Sequence, residues 1–152
     1  MKKLPLVILL ALLISSEINA QVEYKIVTSV ESIVPAGLGR SRLISSDDQR
    51  NFEEFTSERS EDKNEDKRNK SKRENIRVKN FEETKLLNFF NLGGIRFQNI
   101  AANDALVSSK INDLVAKGWE LAFVTSAVES NAGKNDGNGI FITRYIFKRT
   151  IE

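Results

Sequence analysis

The stretch LVAKGWELAFVTS, residues 114–126, holds the end of a predicted helix, a stop signal and the beginning of a predicted strand. Gly118 suits the left-handed backbone conformation that ends many helices. The β-branched and aromatic residues that follow it favour a strand. Trp119 and Glu120 stand at the junction between the two elements, and we interpret both as parts of the scaffold and not of a catalytic site.

A helix is predicted upstream of this junction, over residues 103–118. Asn103 or Asp104 supplies the side-chain oxygen that caps its first turn. Lys117 lies at the negative end of the helix dipole, and Gly118 occupies the position just after the helix. Four apolar residues recur at the spacing of one buried helical stripe: Val107, Ile111, Leu114 and Val115.

Two strands are predicted after the helix, over residues 119–130 and 140–150. The glycine-rich run NAGKNDGNG joins them, so we expect an antiparallel hairpin with a long loop. If Val128 faces Ile140, then Glu120 lies opposite Lys148, and opposite charges on neighbouring strands are mildly favourable. Glu120 is therefore interpreted as a partner of Lys148.

The start of the chain, MKKLPLVILLALLISSEINA, has the order of a secretory signal peptide over residues 1–20. Lys2 and Lys3 form a basic start, an apolar run follows, and Ala20 is a small residue at the predicted cleavage site. A membrane-spanning helix needs about 20 apolar residues, and this apolar run is shorter than that. We therefore expect a secreted or periplasmic protein with no membrane span after cleavage.

Several chemistries are excluded by residues that the chain lacks. It contains no cysteine, which excludes disulfide bonds, thiolate catalysis and the lipid anchor of a bacterial lipoprotein. It contains no histidine, which removes the most common general base and metal ligand near neutral pH. The formal net charge is +2 with both signs mixed, which argues against nucleic-acid binding. We predict neither a metal nor another cofactor.

A strand is predicted just after the signal peptide, over residues 22–34, because β-branched residues recur there at every second position. Pro35 ends this strand, and a glycine turn leads to a second short strand over residues 41–45. One face of the first strand carries Val22, Tyr24, Ile26, Thr28 and Val30.

The composition changes over residues 46–79, where charged residues dominate and large apolar residues are few. Such a segment buries too little apolar surface to offset the entropy that it loses on ordering. We predict that it is a charged insertion in a single domain spanning residues 21–152, and that its middle, 56–75, is disordered or loosely helical. Acidic and basic residues interleave there, which is not typical of a nucleic-acid-binding arm.

Apolar residues return over residues 80–101, with doublets at 86–87 and 89–90. These doublets fit either a strand buried on both faces or one short helix, and their spacing does not decide between the two. We favour the strand, followed by a glycine turn at 93–94 and a second extended piece over 95–97.

Three separated blocks carry a resemblance to a known family: EYKIV at 23–27, INDLVAKGWELAFV at 111–124 and YIFKR at 145–149. Together they resemble the small domain of unknown function numbered 4177, in which an aromatic opening strand, a helix ending in Gly-Trp-Glu-Leu and a closing Lys-Arg strand recur. The chain also resembles a set of secreted, uncharacterised Bacteroidota proteins. The resemblance implies a small α/β sandwich with a helix packed on an antiparallel sheet, and it implies no catalytic residues.

Three arginines are candidate contacts for an anion or a partner: Arg40, Arg42 and Arg144. The first two belong to GLGRSR, residues 37–42, where glycine backbone amides and guanidinium groups together suit a phosphate or a carboxylate. A turn with solvated arginines is the other interpretation, because the run lacks the Gly-Lys-Ser/Thr ending of a phosphate-binding loop. Four residues are interpreted as structural: Gly118, Trp119, Glu120 and Lys148.

These elements predict an α+β fold, in which an antiparallel sheet of four to five strands carries one main helix on one face. One helix covers only one face of a sheet, so apolar residues on the other face need another cover. We expect a second copy of the chain or an envelope protein partner to provide it. Two apolar sets alternate along the last strand: Phe141, Tyr145 and Phe147 in one, and Ile140, Ile142 and Ile146 in the other.

The sequence therefore favours a non-enzymatic protein, a small exported module for binding or interaction in the cell envelope. The alternative is a small hydrolase that works without a metal. Such an enzyme would use carboxylates, or Ser41 or Ser45 with a lysine that folding brings close. A concave pocket with two convergent ionisable groups would distinguish the enzyme from the binding module.

Overall fold

The structure, a computed structural model, describes residues 21–32, 40–62, 64, 66–129 and 139–151. The predicted signal peptide, the glycines of the turn at 37–39 and the loop residues 131–138 lie outside this part of the chain.

The described residues contain seven strands and two α-helices. The strands are β1 (Gln21–Ser32), β2 (Arg42–Ser45), β3 (Glu82–Lys85), β4 (Phe90–Asn91), β5 (Gly94–Ile95), β6 (Glu120–Val128) and β7 (Ile140–Ile151). The helices are α1 (Arg73–Ile76) and α2 (Phe97–Ala116), and a 3₁₀ turn spans Phe52–Phe55.

Five of these strands form one antiparallel sheet in the order β3-β2-β1-β7-β6, and β4 and β5 form a separate two-stranded ribbon. β1 and β7 pair along their whole length, from Gln21 opposite Ile151 to Ser32 opposite Ile140. The long helix α2 packs on one face of the sheet. The predicted α+β class, with one main helix on an antiparallel sheet, is confirmed.

The hydrophobic core lies between α2 and the sheet. Leu114 of α2 is buried with Val27, Leu43 and Phe147 of the sheet, and Leu86 closes the cluster. Five partly buried residues pack against this cluster: Val107, Ile111, Trp119, Leu121 and Tyr145. Three of the four residues predicted for the helical stripe therefore face the core, whereas Val115 is exposed.

The predicted start of the long helix is wrong. α2 begins at Phe97, and Asn103 lies inside it as a buried residue instead of capping its first turn. The Asn103 side chain donates to the Leu87 carbonyl and to the Glu31 carboxylate, at 2.8 Å each, and accepts from the Leu87 amide at 2.8 Å. The amide is thus fully used by groups that are distant in sequence, which is why a polar residue is stable on the inward side of a helix.

The end of the long helix agrees with the prediction. Gly118 has a φ of 84°, the left-handed conformation expected just after a helix. Its amide donates to the Val115 carbonyl at 3.0 Å, and the Trp119 amide donates to the Leu114 carbonyl at 3.1 Å. This pair of bonds is the Schellman motif, which satisfies the last carbonyls of the helix.

The hairpin of β6 and β7 contains the predicted charge pair. Glu120 lies opposite Lys148, and their charged atoms are 3.3 Å apart. At the other end, Val128 lies opposite Phe141 and not Ile140, so the predicted register is wrong there by one residue. A β-bulge near the start of β6 accounts for the difference, because it adds one residue to that strand.

This bulge decides which side chains of β6 reach the core. It lies between Leu121 and Phe123, which pair with Phe147 and Ile146 on β7. Successive residues of β7 point to opposite faces of the sheet. Because Leu121 and Phe123 pair with two successive residues of β7, they also point to opposite faces, although they are two positions apart along β6. Leu121 packs on the core and Phe123 points away from it.

The strand favoured for the apolar doublets lies elsewhere. β3 is the polar stretch just before them, and the doublets at 86–87 and 89–90 mostly follow without regular structure. Leu87 is held by Asn103 of α2, so the helix organises this part of the chain in place of a neighbouring strand. A turn at Leu92 and Gly93 joins β4 to β5, one residue before the predicted position, and residue 97 already belongs to α2.

The charged segment 46–79 leaves the sheet between β2 and β3. Its described residues form the 3₁₀ turn, one isolated bridge between Glu58 and Lys67, and the single turn of α1. None of these described residues is buried. The segment thus contributes nothing to the core, while its predicted disorder stays a prediction.

Candidate functional site: the open face of the sheet

The face of the sheet opposite α2 has no cover within the described residues, and we name it the open face. Side chains alternate along a strand, so the neighbours of core residues such as Val27 and Phe147 point to this side. Apolar surface that remains exposed in this way is typical of interaction sites. The large apolar residues of the open face are Val22, Tyr24, Ile26, Val30, Ile44, Phe123, Ile140, Ile142 and Ile146.

The centre of the open face is an apolar row across three strands. Ile26 of β1, Ile146 of β7 and Phe123 of β6 lie side by side in register. Ile26 is 49% exposed and Phe123 is 68% exposed, and Tyr24 beside this row is 64% exposed. Adjacent strands are about 4.8 Å apart, so the row is about 10 Å wide, enough for one apolar segment of a partner.

The next row of the open face is polar and carries a positive charge. Thr28, Arg144 and Thr125 lie side by side on β1, β7 and β6. Arg144 is exposed, and in the described part of the chain it takes part in no ion pair, in contrast to Lys148 with Glu120. A guanidinium beside an apolar row is a binding group for a carboxylate, because charge-assisted hydrogen bonds are the stronger ones.

A shallow apolar depression extends the open face towards the charged segment. It has a volume of about 370 Å³ and lies over Ile26 and Ile44. Val78 and Phe81, from the chain that returns to β3, form its other wall. The end of the charged segment therefore enlarges the apolar surface without covering it.

The other two candidate arginines lie together, apart from Arg144. Arg40 and Arg42 line a depression of about 670 Å³, together with Lys85. Arg42 is already engaged, because its guanidinium binds the Glu83 carboxylate and donates to the Ser41 carbonyl at 2.7 Å. The structure thus brings Arg40 and Arg42 to one site near the β3 edge of the sheet, whereas Arg144 lies on the open face of β7, two strands away from β2.

Trp119 lies at the corner where α2 ends and β6 begins. Its ring packs against the core cluster, and the guanidinium of Arg149 lies 4.5 Å from the ring centre. Arg149 also donates to the Glu23 carboxylate at 2.6 Å. The indole of Trp119 therefore packs between the core and the guanidinium of Arg149, which is itself paired with Glu23. Glu120 beside it binds Lys148 and is exposed, so these two residues do not form a cleft with an unpaired carboxylate.

The depression beside Trp119 holds ionisable groups, but they pair with one another. It has a volume of about 740 Å³. Its charges are matched as three ion pairs: Lys25 with Asp47, Arg50 with Asp48, and Arg149 with Glu23. Charges that neutralise each other stabilise the surface weakly and leave no carboxylate set apart for acid–base work.

The two serines considered for catalysis are buried and hydrogen-bonded. The Ser41 hydroxyl accepts from the Ser32 amide at 3.0 Å and donates to the Asn88 side-chain oxygen at 2.7 Å. The Ser45 hydroxyl donates to the Glu82 carboxylate at 2.9 Å, and Ser45 is 5% exposed. Among the described residues, neither hydroxyl has a lysine as its hydrogen-bond partner.

In the described part of the chain, two side chains have a pKa that is shifted by their contacts. Hydrogen bonds from Lys110, at 2.6 Å, and from Ser45 lower the pKa of Glu82 below its usual range. A hydrogen bond to Asp113 raises the pKa of Lys117. Glu82 and Lys117 each belong to a solvated ion pair on the side of the sheet that α2 covers, so their pKa shifts reflect structural contacts.

Within the described residues, no cluster of three or more acidic side chains has an arrangement that suits a metal ion. In the same part of the chain, no helix has the length and apolar character needed to cross a membrane.

No family model matches this chain, and the comparisons with curated proteins and with solved structures find no similar protein. The resemblance to the domain of unknown function numbered 4177 therefore stays an expectation from the sequence.

Sequence reasoning anticipated an uncovered apolar face but missed Phe123, one of its central residues. Tyr24 and Ile26 were placed on one face of β1, and their alternation alone does not tell which face α2 covers. Phe123 was missed because simple alternation places it with Leu121, and only the bulge separates the two. Asn103, which fixes Leu87 to the helix, was mistaken for a cap.

Proposed function

We propose that the protein is a non-enzymatic, exported binding module whose open face binds an apolar, acidic segment of another envelope protein. The single observation that supports this proposal is the apolar row of Ile26, Ile146 and Phe123 beside the exposed Arg144. The apolar row provides contact area, and the guanidinium selects a carboxylate at a fixed distance from it.

The charges of the open face favour an acidic partner over a second copy of the same face. Lys148 and Arg42 are balanced by Glu120 and Glu83, so the charges of Arg144 and of Lys85, which lies opposite Arg42, remain. Two copies stacked face to face would bring two such surfaces of the same sign together, which is unfavourable. A partner with apolar and acidic residues matches both features of the surface.

The test uses the dye anilinonaphthalene sulfonate, which combines an apolar ring system with one anionic group. Fluorescence titration of the chain from residue 21 onwards should show saturable binding. We expect Ile26→Thr and Arg144→Gln to weaken the dye affinity by about five- to tenfold each, the value of one or two good contacts. Added salt should weaken binding to the original chain more than binding to Arg144→Gln.

Matched controls come from the charged segment. Ile76 is 50% exposed, close to the value for Ile26, and Arg68 is an exposed arginine outside the sheet. Ile76→Thr and Arg68→Gln should leave the dye affinity unchanged. Equal losses in the controls and in the open-face variants would contradict the proposal, as would native affinity in both open-face variants.

A further inference from the structure

We infer that β6 is an association edge, at which β6 of a second copy pairs antiparallel and joins two five-stranded sheets into one of ten strands. This inference uses the edge of the sheet and is independent of the proposed function of the open face. In the described sheet β6 is the last strand and pairs with β7 alone. Its nine residues present an edge about 30 Å long with unpaired backbone groups.

The two edges of the sheet differ in their protection against pairing. β3, at the other edge, has four residues, and Glu82, Glu83 and Lys85 among them are charged. β6 has no charged residue between 121 and 128, and no proline or glycine. Sheet proteins prevent edge pairing with short strands, charges and prolines, so β3 is protected and β6 is not. The bulge near Leu121 lies at the beginning of β6 and leaves the rest of the edge regular.

Apolar side chains are exposed on both faces of β6. Phe123 points to the open face, while Val124 and Val128 point to the side of α2, yet these valines are 53% and 58% exposed. All residues of β6 from Phe123 onwards are exposed, whereas Leu121 is partly buried under the end of the helix. An added strand would place its own side chains beside these residues on both faces, as cross-strand pairs do.

The neutral character of this edge suits a second copy of the chain. Two identical edges that lack charges meet without like-charge repulsion, and an antiparallel pair of identical strands has the two-fold symmetry that closes a dimer. A two-fold axis at Ser126 would place Val124 of each strand opposite Val128 of the other, on the side of α2, because such an axis keeps each face of the two sheets on the same side. A partner that is selected by charge would find no charged group on this edge between 121 and 128.

The test measures mass in solution by light scattering after size-exclusion chromatography of the chain from residue 21 onwards. We expect a dimer for the original chain and a monomer for Val124→Lys, because each lysine would place its ammonium group against the apolar Val128 of the other copy. Thr84→Lys, at an exposed position of the protected edge β3, should remain dimeric. A monomeric original chain, or a dimer in Val124→Lys, would overturn the inference.

Two further measurements separate loss of pairing from loss of folding. Far-ultraviolet circular dichroism should show the same strand content in Val124→Lys and in the original chain. If Val124→Lys does not fold, Ser126→Lys provides a second charge at an exposed position of the same edge. Val124→Lys should keep the dye affinity of the open face, so failure of this inference and failure of the proposed function give different results.

Discussion

At the scale of single residues, the turn from α2 into β6 depends on Gly118. Its φ of 84° is a conformation that residues with a Cβ atom adopt at a cost. The Schellman bonds of its own amide and of the Trp119 amide require that conformation. The same turn places Trp119 against the core and positions β6 to pair with β7.

We expect Gly118→Ala to lower the free energy of unfolding by about 1–2 kcal/mol, the cost of a left-handed backbone for an L-residue. The added Cβ would meet only the Arg149 Cδ atom at 3.8 Å, an ordinary contact, so the loss comes from the backbone. Urea denaturation measures it. Gly93→Ala is the matched control, since the Cβ there has room and the φ is not left-handed, and it should change stability little. Equal losses in both variants would refute the backbone explanation.

The structural roles of individual residues differ in how well they can be predicted from the sequence. Gly118 was predictable because it interrupts an apolar periodicity at a helix end, a local signal. Asn103 was not, because its role depends on Glu31 and on Leu87, which only the folded chain brings to it. Phe123 was not, because a bulge reverses the alternation of its strand.

At the scale of elements, β3 is joined to α2 by one carboxylate. Glu82 accepts hydrogen bonds from Lys110 of the helix and Ser45 of β2, and they hold its pKa below the usual range. A lowered pKa in the folded state means that the contact stabilises the fold above the ordinary carboxyl pKa. This stabilisation is lost as the pH falls through the lowered pKa.

We therefore expect Glu82→Gln to unfold more easily than the original chain at neutral pH and equally easily in acid. The difference at neutral pH should stay below about 1 kcal/mol, because the carboxylate is largely exposed and solvent screens the pair. The free energy of unfolding, measured for both chains across the acidic range, gives the difference. Glu53→Gln, at an exposed glutamate outside the sheet, should show no such pH dependence, and a constant difference for Glu82→Gln at every pH would disprove the account.

The elements that could be predicted from the sequence are those in which apolar residues recur at a regular spacing. β1, β7 and the second half of α2 carry alternating or helical apolar patterns, and all three were predicted. β3 reads EETK and has no apolar pattern, because it forms as an edge strand through its pairing with β2. The doublets after it looked like a strand, yet α2 holds them.

At the scale of the whole molecule, the charged segment is an appendage to a complete core. None of its described residues is buried, and the Ser46 hydroxyl donates to the Asn80 carbonyl at 3.2 Å, which brings the two ends of the segment together. A short glycine-serine linker can therefore replace residues 56–75.

We expect this replacement to change the free energy of unfolding by less than about 1 kcal/mol, because loop length affects stability only weakly. Thermal unfolding followed by circular dichroism should stay cooperative. Deletion of residues 80–85 is the contrasting control, because it removes β3 and should destabilise the fold clearly. Loss of cooperative unfolding after the 56–75 replacement would show that the segment is part of the fold.

The fold class followed from the sequence, whereas the position of the open face did not. A helix between strand patterns was enough to predict an α+β fold with one covered face. Which face remains open depends on how α2 rests on β1 and β7, and the apolar alternation of β1 fits both orientations. The unprotected edge at β6 likewise required the strand order, which the sequence leaves open.

The pairing of β1 with β7 also has a consequence for how the polypeptide is made. Gln21 meets Ile151, 130 positions later along the chain (151 − 21), so the middle of the sheet has a high contact order. During synthesis, β1 cannot pair with β7 until nearly all described residues have left the ribosome. The five-stranded sheet therefore cannot be completed until β7 has been synthesised, because both β1 and β6 pair with that last strand.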